Sequence, residues 1–145
     1  MKKFVFSLNA VKNQREIILD QKLAIKAKII AERDMLIQAR AQLEALYQQT
    51  LTGGPTIGQS FNPQFETLRQ LRLFSLRDEM KLKDQAIAMV DHRLALAQDE
   101  VTEAHKNVRA MEILEEKARD EWAEEYRKEE QKNTDEINMQ RYGRF

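Results

Sequence analysis

The chain has 145 residues, of which 33% are charged and 42% are hydrophobic, with four glycines, two prolines and no cysteine. So few glycines and prolines beside so many charges are typical of long helices rather than of a compact globule with many loops. The lack of cysteine excludes disulfides, thiolate metal sites and cysteine nucleophiles. The 24 basic and 24 acidic residues cancel, so no net field attracts nucleic acid or anionic lipid.

The charge is unevenly distributed along the chain. Residues 1–55 carry nine basic and five acidic side chains, whereas residues 113–145 carry seven basic and ten acidic ones. The basic start at Lys2 and Lys3 is not followed by the apolar run of a signal peptide. No window approaches the ~20 consecutive apolar residues that a membrane span requires. We therefore expect a soluble, cytoplasmic protein.

The first predicted element is a helix over about residues 5–51. Positions that alternate by three and four residues from Phe4 to Thr50 are apolar at ten of fourteen places, which is the seam of a coiled coil. Arg15, Lys22 and Glu32 interrupt this seam, where long polar side chains can reach solvent and help to fix the register. We expect Arg15 to pair with Glu115 of the second helix.

Residues 52–63 form the predicted loop. Three of the four glycines and both prolines fall there. Gly53 and Gly54 suit the left-handed backbone that ends a helix, and Asn62 followed by Pro63 suits a helix N-cap and first turn. No lysine accompanies these glycines, so the segment is not a phosphate-binding loop.

The second predicted helix covers about residues 64–141. The same alternation from Leu73 to Trp122 is apolar at thirteen of fifteen places. Two seams joined by one loop predict an all-α fold: an antiparallel two-helix coiled-coil hairpin, a single domain spanning residues 1–145, whose longer C-terminal helix overhangs the first beyond about Arg119. Extra apolar residues beside each seam leave room for a third packing partner. They are Leu19, Leu23, Ile30 and Ile37, and Leu82, Ala86, Met89 and Leu96.

The sequence shows no catalytic or metal-binding pattern. His92 and His105 lie thirteen residues apart on one predicted helix, which is about 20 Å by helical rise and too far for shared metal ligation. Neighbouring carboxylates occur, but catalysis needs a concave, partly dry pocket that two packed helices do not provide. We expect no enzyme activity, no cofactor and no metal.

The layout resembles the flagellar type III export stalk proteins, the FliJ family, and the related stalk proteins of type III secretion systems. The resemblance rests on the aromatic and leucine run of residues 4–8, a basic heptad helix, the glycine–proline turn, and a charged final helix with Glu-Gln-Lys at 130–132 and Asp-Glu-Ile at 135–137. It implies a non-enzymatic component of flagellar protein export that inserts into the hexameric ring of the export ATPase and promotes its assembly and activity. It also implies coupling to the membrane-embedded export gate, contact with free export chaperones, and a cytoplasmic location peripheral to the inner membrane.

The resemblance also implies two groups of contact residues. Candidates for the ATPase-ring contact are Trp122, Tyr126, Arg127, Glu130, Gln131, Asp135 and Glu136. Candidates for the export-gate contact are Tyr47 and Phe74, which match the aromatic positions of the family near the loop. Arg40, Glu44 and Asp78 depart from the apolar or amide residues expected in that second patch.

Two other function classes remain open. A general coiled-coil adaptor or chaperone would bind protein clients without an ATPase. A nucleic-acid-binding helical protein would use the basic residues of the first half, although the zero net charge and the acidic final segment argue against it. Those basic residues are Lys2, Lys3, Lys12, Arg15, Lys22, Lys26 and Lys28. We expect a monomer that neither binds nucleic acid nor inserts into a membrane; the heptads are also compatible with an extended dimer.

Overall fold

The structure, a computed structural model, describes residues 3–54, 58 and 60–143. Over these residues the chain forms two helices that pack against each other, α1 (Asn9–Thr52) and α2 (Pro63–Tyr142), and no strand. The all-α prediction is therefore confirmed. The heptad pattern predicted a helix from about residue 5, but α1 begins at Asn9, whose amide donates to the carbonyl of Phe6 at 3.1 Å in a turn.

The contacts divide the chain into two units, each built from a stretch of both helices. The terminal unit comprises Met1–Lys22 and Val101–Phe145, and the loop unit comprises Leu23–Glu100. In the loop unit Glu32 pairs with Arg93 and Arg40 pairs with Asp84, both at 3.1 Å. Because the residue with the higher number on α1 pairs with the residue with the lower number on α2, the two helix stretches of this unit run antiparallel.

The core of the loop unit is a row of apolar side chains on α2 that packs against α1. Every buried residue that the structure describes in this unit occupies a position of the predicted seams, and Leu76 has no exposed surface. Ile29, Val90 and Ala97 form one cluster, against which Leu36 and Leu94 pack. The buried residues are Ile29, Leu73, Leu76, Met80, Val90 and Ala97.

The core of the terminal unit continues the same spacing on α2. Val101, Ala104, Val108 and Met111 are buried at three- and four-residue intervals. The aromatic residue buried with them is Phe6, which precedes α1. The sequence pattern placed Phe4 in the seam instead, because it assumed that the helix already included these residues.

α1 turns a slightly different stripe inward from the predicted one. Half of the predicted positions, such as Leu36 and Leu43, are half-buried. Between them, the residue that faces inward is the one that follows the predicted position. Lys26, Arg33, Arg40 and Tyr47 are half-buried, whereas the predicted Val11, Ile18, Ile25 and Leu46 are exposed. The aliphatic stems of lysine and arginine can cover apolar surface while their charged ends reach acidic partners. The displacement leaves a row of apolar α1 side chains exposed to solvent.

The helix cap predicted at the end of the loop is present, but the backbone conformation predicted at its start is not. Asn62 caps α2, as predicted, because its side-chain oxygen accepts the amide of Gln64 at 3.0 Å. Gly53 and Gly54 do not adopt the left-handed backbone that was predicted; in the described residues the positive φ belongs to Gly58, at 92°. The amide of Gly53 instead continues the helical pattern by donating to the carbonyl of Gln49 at 3.0 Å. Residues 55–57 and 59 of the predicted loop lie outside the described residues.

Candidate partner-binding surfaces

One arginine joins the end of α1 to the start of α2 in the loop unit. The Arg69 guanidinium donates to the carbonyls of Thr50 and Leu51, both at 3.2 Å, and to the Glu66 carboxylate at 2.7 Å. The last carbonyls of a helix have no partner within it and carry partial negative charge, so a cation there satisfies both needs. The hydrogen bond from Arg69 lowers the pKa of Glu66 below its ordinary value. A Cβ on Gly54 would lie 2.9 Å from Arg69 Cζ, so glycine leaves room for the guanidinium.

The two gate candidates, Tyr47 and Phe74, both belong to the loop unit. The Tyr47 hydroxyl accepts hydrogen bonds from Arg77 at 2.7 and 3.0 Å, and the same guanidinium lies 5.5 Å from the ring centroid. Tyr47 is half-buried, and these contacts with Arg77 fix the orientation of its side chain. Phe74 is 65% exposed. A fixed tyrosine and an open phenylalanine are suitable for contact with an apolar partner segment.

Ion pairs between the helices, and one within α1, lie on the side of the loop unit that carries Tyr47 and Arg77. Arg40 pairs with Asp84 at 3.1 Å and with Glu44 at 2.9 Å, and Arg33 pairs with Asp91. Hydrogen bonds from Gln48 and Arg40 lower the pKa of Glu44. We call this surface, with Tyr47 and Arg77, the charged face. Of the three residues that depart from the family pattern, Arg40 therefore pairs the two helices, Glu44 pairs with Arg40 within α1, and Asp78 is exposed.

A groove of about 460 Å³ opens on another side of the loop unit. Its apolar lining consists of Ala39, Leu43, Leu46, Leu82 and Ala86. Leu82 is 64% exposed and Leu46 is 42% exposed, so the groove presents apolar side chains to solvent. The sequence singled out Leu82 and Ala86 as apolar residues beside the seam, and the displaced register of α1 adds Leu46 to them.

The terminal unit contains an aromatic cluster built on the first two ring candidates. Trp122 and Tyr126 stack with their ring centroids 5.5 Å apart, and the Phe4 ring lies 5.9 Å from Trp122. The Arg119 guanidinium lies 5.2 Å from the Phe4 ring centroid. The three aromatic side chains are half-buried, so they support one another.

The position of Phe4 corrects an expectation about this end of α2. The predicted hairpin left the second helix uncovered beyond about Arg119. Residues 3–8 are not helical, and non-helical chain advances up to ~3.3 Å per residue rather than the ~1.5 Å of a helix. Phe4 therefore reaches Trp122, and the uncovered stretch of α2 begins after Tyr126.

The remaining ring candidates lie in this uncovered stretch. Residues 127–143 are all exposed. They include Arg127, Glu130, Gln131, Asp135 and Glu136. A hydrogen bond to the Glu130 carboxylate raises the pKa of Tyr126, which links the aromatic cluster to the charged stretch. The pair between Glu124 and Lys128 at 3.5 Å is the favourable i,i+4 arrangement and supports the helix weakly.

Glu115 pairs with a different partner from the one predicted. Lys12 Nζ lies 2.6 Å from Glu115 Oε2, whereas Arg15 donates to the backbone carbonyl of Asn107 at 3.3 Å. The prediction of an Arg15–Glu115 pair is therefore wrong by one helical turn. The hydrogen bond to Glu115 raises the pKa of Lys12 above its ordinary value.

These surfaces suit contact with other proteins. Among the described residues, no group of three or more histidine or acidic side chains is arranged to hold a metal ion. Over the same part of the chain, no helix is both long enough and apolar enough to cross a membrane. The surface carries a half-buried aromatic cluster, an exposed charged helical stretch and an apolar groove, which are typical of protein interfaces.

Comparison with known families gives a match that covers both helices. The model of the family described as flagellar FliJ protein matches residues 9–144. Comparisons with curated proteins and with solved structures gave no significant match. The matched range contains α1, α2 and all of the ring and gate candidates. The chain therefore belongs to the flagellar FliJ protein family and is a component of flagellar protein export.

Proposed function

We propose that this chain is the non-enzymatic stalk of the flagellar export ATPase. In this proposal the end of α2 inserts into the hexameric ATPase ring and promotes its assembly and activity, while the loop unit contacts the export gate. The observation that carries the proposal is the exposed α2 stretch 127–143, which follows directly on the stacked Trp122 and Tyr126. Membership of a flagellar export family supplies the machine in which such a surface acts.

The aromatic cluster and the charged stretch offer two kinds of contact to a ring. Aromatic side chains supply most of the binding energy of many interfaces, because they bury a large area at a small cost in conformational entropy. The exposed charged and amide groups after Tyr126 add directional contacts to individual ring subunits. A single asymmetric stalk would bind some subunit conformations more tightly than others, and that difference in binding free energy is the source of coupling.

The proposal includes a single coiled-coil hairpin domain. It is supported by the three- and four-residue spacing of buried positions along α2 from Leu73 to Met111. We further propose that the protein acts on the cytoplasmic side of the inner membrane, at the export apparatus, and that free export chaperones are additional partners.

Adding this chain to the export ATPase of the same organism is expected to raise the hydrolysis rate and to increase the fraction of hexamers. The effect should saturate near one chain per six ATPase subunits, since one stalk occupies one ring. Steady-state hydrolysis and analytical ultracentrifugation measure the two responses. If the folded chain changes neither of them but protects export clients from aggregation, the stalk proposal is wrong and the general coiled-coil adaptor or chaperone takes its place.

Replacing Phe74 with alanine is expected to weaken binding to the cytoplasmic part of the export gate by about tenfold, as for an aromatic residue central to an interface. Phe74 is 65% exposed, so helix packing should not change. Calorimetric titration measures the affinity. Leu68→Ala is the matched control, because Leu68 is 61% exposed on the same helix but, six residues away, lies on a different side of it from Phe74. Equal losses in the two variants would contradict the assignment of Phe74, and Tyr47→Phe tests whether the Arg77 contact orients the tyrosine.

A further inference from the structure

The apolar groove of the loop unit continues along both helices as a longer face. Positions seven residues apart lie on nearly the same side of a helix. Seven residues from Gln42 and Leu82, which line the groove, stand Met35 and Met89, which are 72% and 71% exposed. Fourteen residues beyond Leu82 stands Leu96, which is 53% exposed. We call the groove side of the loop unit, from Ile25 to Leu46 on α1 and from Glu79 to Glu100 on α2, the apolar face.

The charges on this face balance one another. Its acidic members are Glu32, Glu79 and Glu100, and its basic members are Lys28, Lys83 and Arg93. Glu32 and Arg93 pair across the two helices at 3.1 Å. A face without net charge does not select a strongly acidic or strongly basic partner.

We propose that the apolar face binds a second copy of this chain. The Glu32–Arg93 and Arg40–Asp84 pairs show which positions of α1 and α2 lie side by side. A two-fold axis parallel to the helices places α1 of one copy against α2 of the other. Positions that lie side by side within one chain then also lie side by side between the two copies. Glu32 of each copy then meets Arg93 of the other, and Met35 meets Met89. The loop units form a four-helix bundle in which every helix has antiparallel neighbours.

The size of the face is sufficient for a specific but weak dimer. Ile25 and Leu46 are about 32 Å apart by helical rise, and two helices side by side are about 20 Å wide. The contact would cover roughly 600 Å² on each copy, or about 1,200 Å² in total, just above the ~1,000 Å² of a specific interface. We therefore expect dimers that form at high protein concentration and dissociate on dilution, in place of the monomer expected from the sequence. This inference does not depend on the ATPase role.

Sedimentation equilibrium of the full chain tests the proposal, with charge-swapped variants as the decisive samples. Glu32→Arg alone and Arg93→Glu alone each place like charges together across the dimer, so each should dissociate at least about tenfold more readily than the unaltered chain. An equimolar mixture of the two variants restores both opposite-charge contacts and should dimerise again. Both side chains are about half exposed, at 48% and 51%, so the variants should stay helical by circular dichroism.

A second pair of variants locates the interface. Met89→Glu, on the apolar face, is expected to weaken the dimer at least about tenfold, whereas Leu71→Glu, at a comparably exposed position outside the face, should leave it unchanged. A chain that is monomeric at every concentration would overturn the proposal, including the case in which this face binds a different protein. A dimer that Met89→Glu does not weaken, or that the mixed variants fail to restore, would overturn it as well.

Discussion

Replacing Leu76 with alanine is expected to lower the free energy of unfolding by about 2–5 kcal/mol, the usual cost of removing a fully buried leucine side chain. Leu76 has no exposed surface in a helix pair whose other side chains are mostly exposed or half-buried. The loss combines the apolar area returned to water with the cavity that remains. Urea denaturation followed by circular dichroism measures it, at a protein concentration low enough to keep the chain monomeric.

Leu71→Ala is the matched control for this substitution. The same side chain is removed from the same helix, but Leu71 is 61% exposed, so the change should stay within about 0.5 kcal/mol. Comparable losses at the two positions would show that Leu76 is not packed against α1, and would contradict the core described for the loop unit.

Replacing Trp122 and Tyr126 together with alanine is expected to weaken binding to the ATPase ring by at least about tenfold, because aromatic residues are frequent hot spots of interfaces. At subsaturating concentrations the stimulation of hydrolysis should fall in proportion. Helix packing elsewhere should change little, since the variant removes only the stacked pair and its contact with Phe4, which together contribute about 1–3 kcal/mol beyond the area that the rings bury. Titration of the hydrolysis rate with each protein gives the two affinities.

Phe4→Ala separates binding from folding in that experiment. It removes the ring that lies 5.9 Å from Trp122 but keeps the stacked pair on α2. Stimulation should therefore be retained, whereas the stability of the terminal unit should fall about as far as the Phe4 contact contributes. If Phe4→Ala abolishes stimulation as completely as the double variant, the aromatic cluster acts by holding the N-terminal segment, and Trp122 and Tyr126 are not the ring contact.

The register of α2 could be predicted from the sequence, and that of α1 only in part. On α2 the apolar residues themselves occupy the buried positions, such as Leu76 and Val108. On α1, Arg33 and Arg40 take inward positions that periodicity assigned to neighbouring residues. Hydropathy counts an arginine as polar, although its stem can cover an apolar surface while its guanidinium reaches Asp84 or Asp91. These acidic partners on α2 would have indicated that the two arginines face inward, but they lie far from the arginines in the sequence.

The candidate site was predictable as a set of residue types rather than as a geometry. Trp122 and Tyr126 are one turn apart on a helix, so their stacking follows from helical spacing. The contact from Phe4 depends on where α1 begins, which periodicity does not determine. The contact of Arg69 with the end of α1 gave no local signal, because Thr50 and Leu51 lie 19 and 18 residues earlier in the chain.

The bonds made by Arg69 bear on how much change the connection between the helices tolerates. A side chain of α2 itself holds the last carbonyls of α1, so the two helix ends are fastened by a contact that does not involve residues 55–59. Extra residues inserted there would lengthen a closed loop without releasing that contact, and doubling a flexible loop costs only about 0.6 kcal/mol in closure entropy. The connection between Gly54 and Gly58 is therefore a suitable place for an epitope or a fluorescent label, by which the protein can be followed during assembly of the export apparatus.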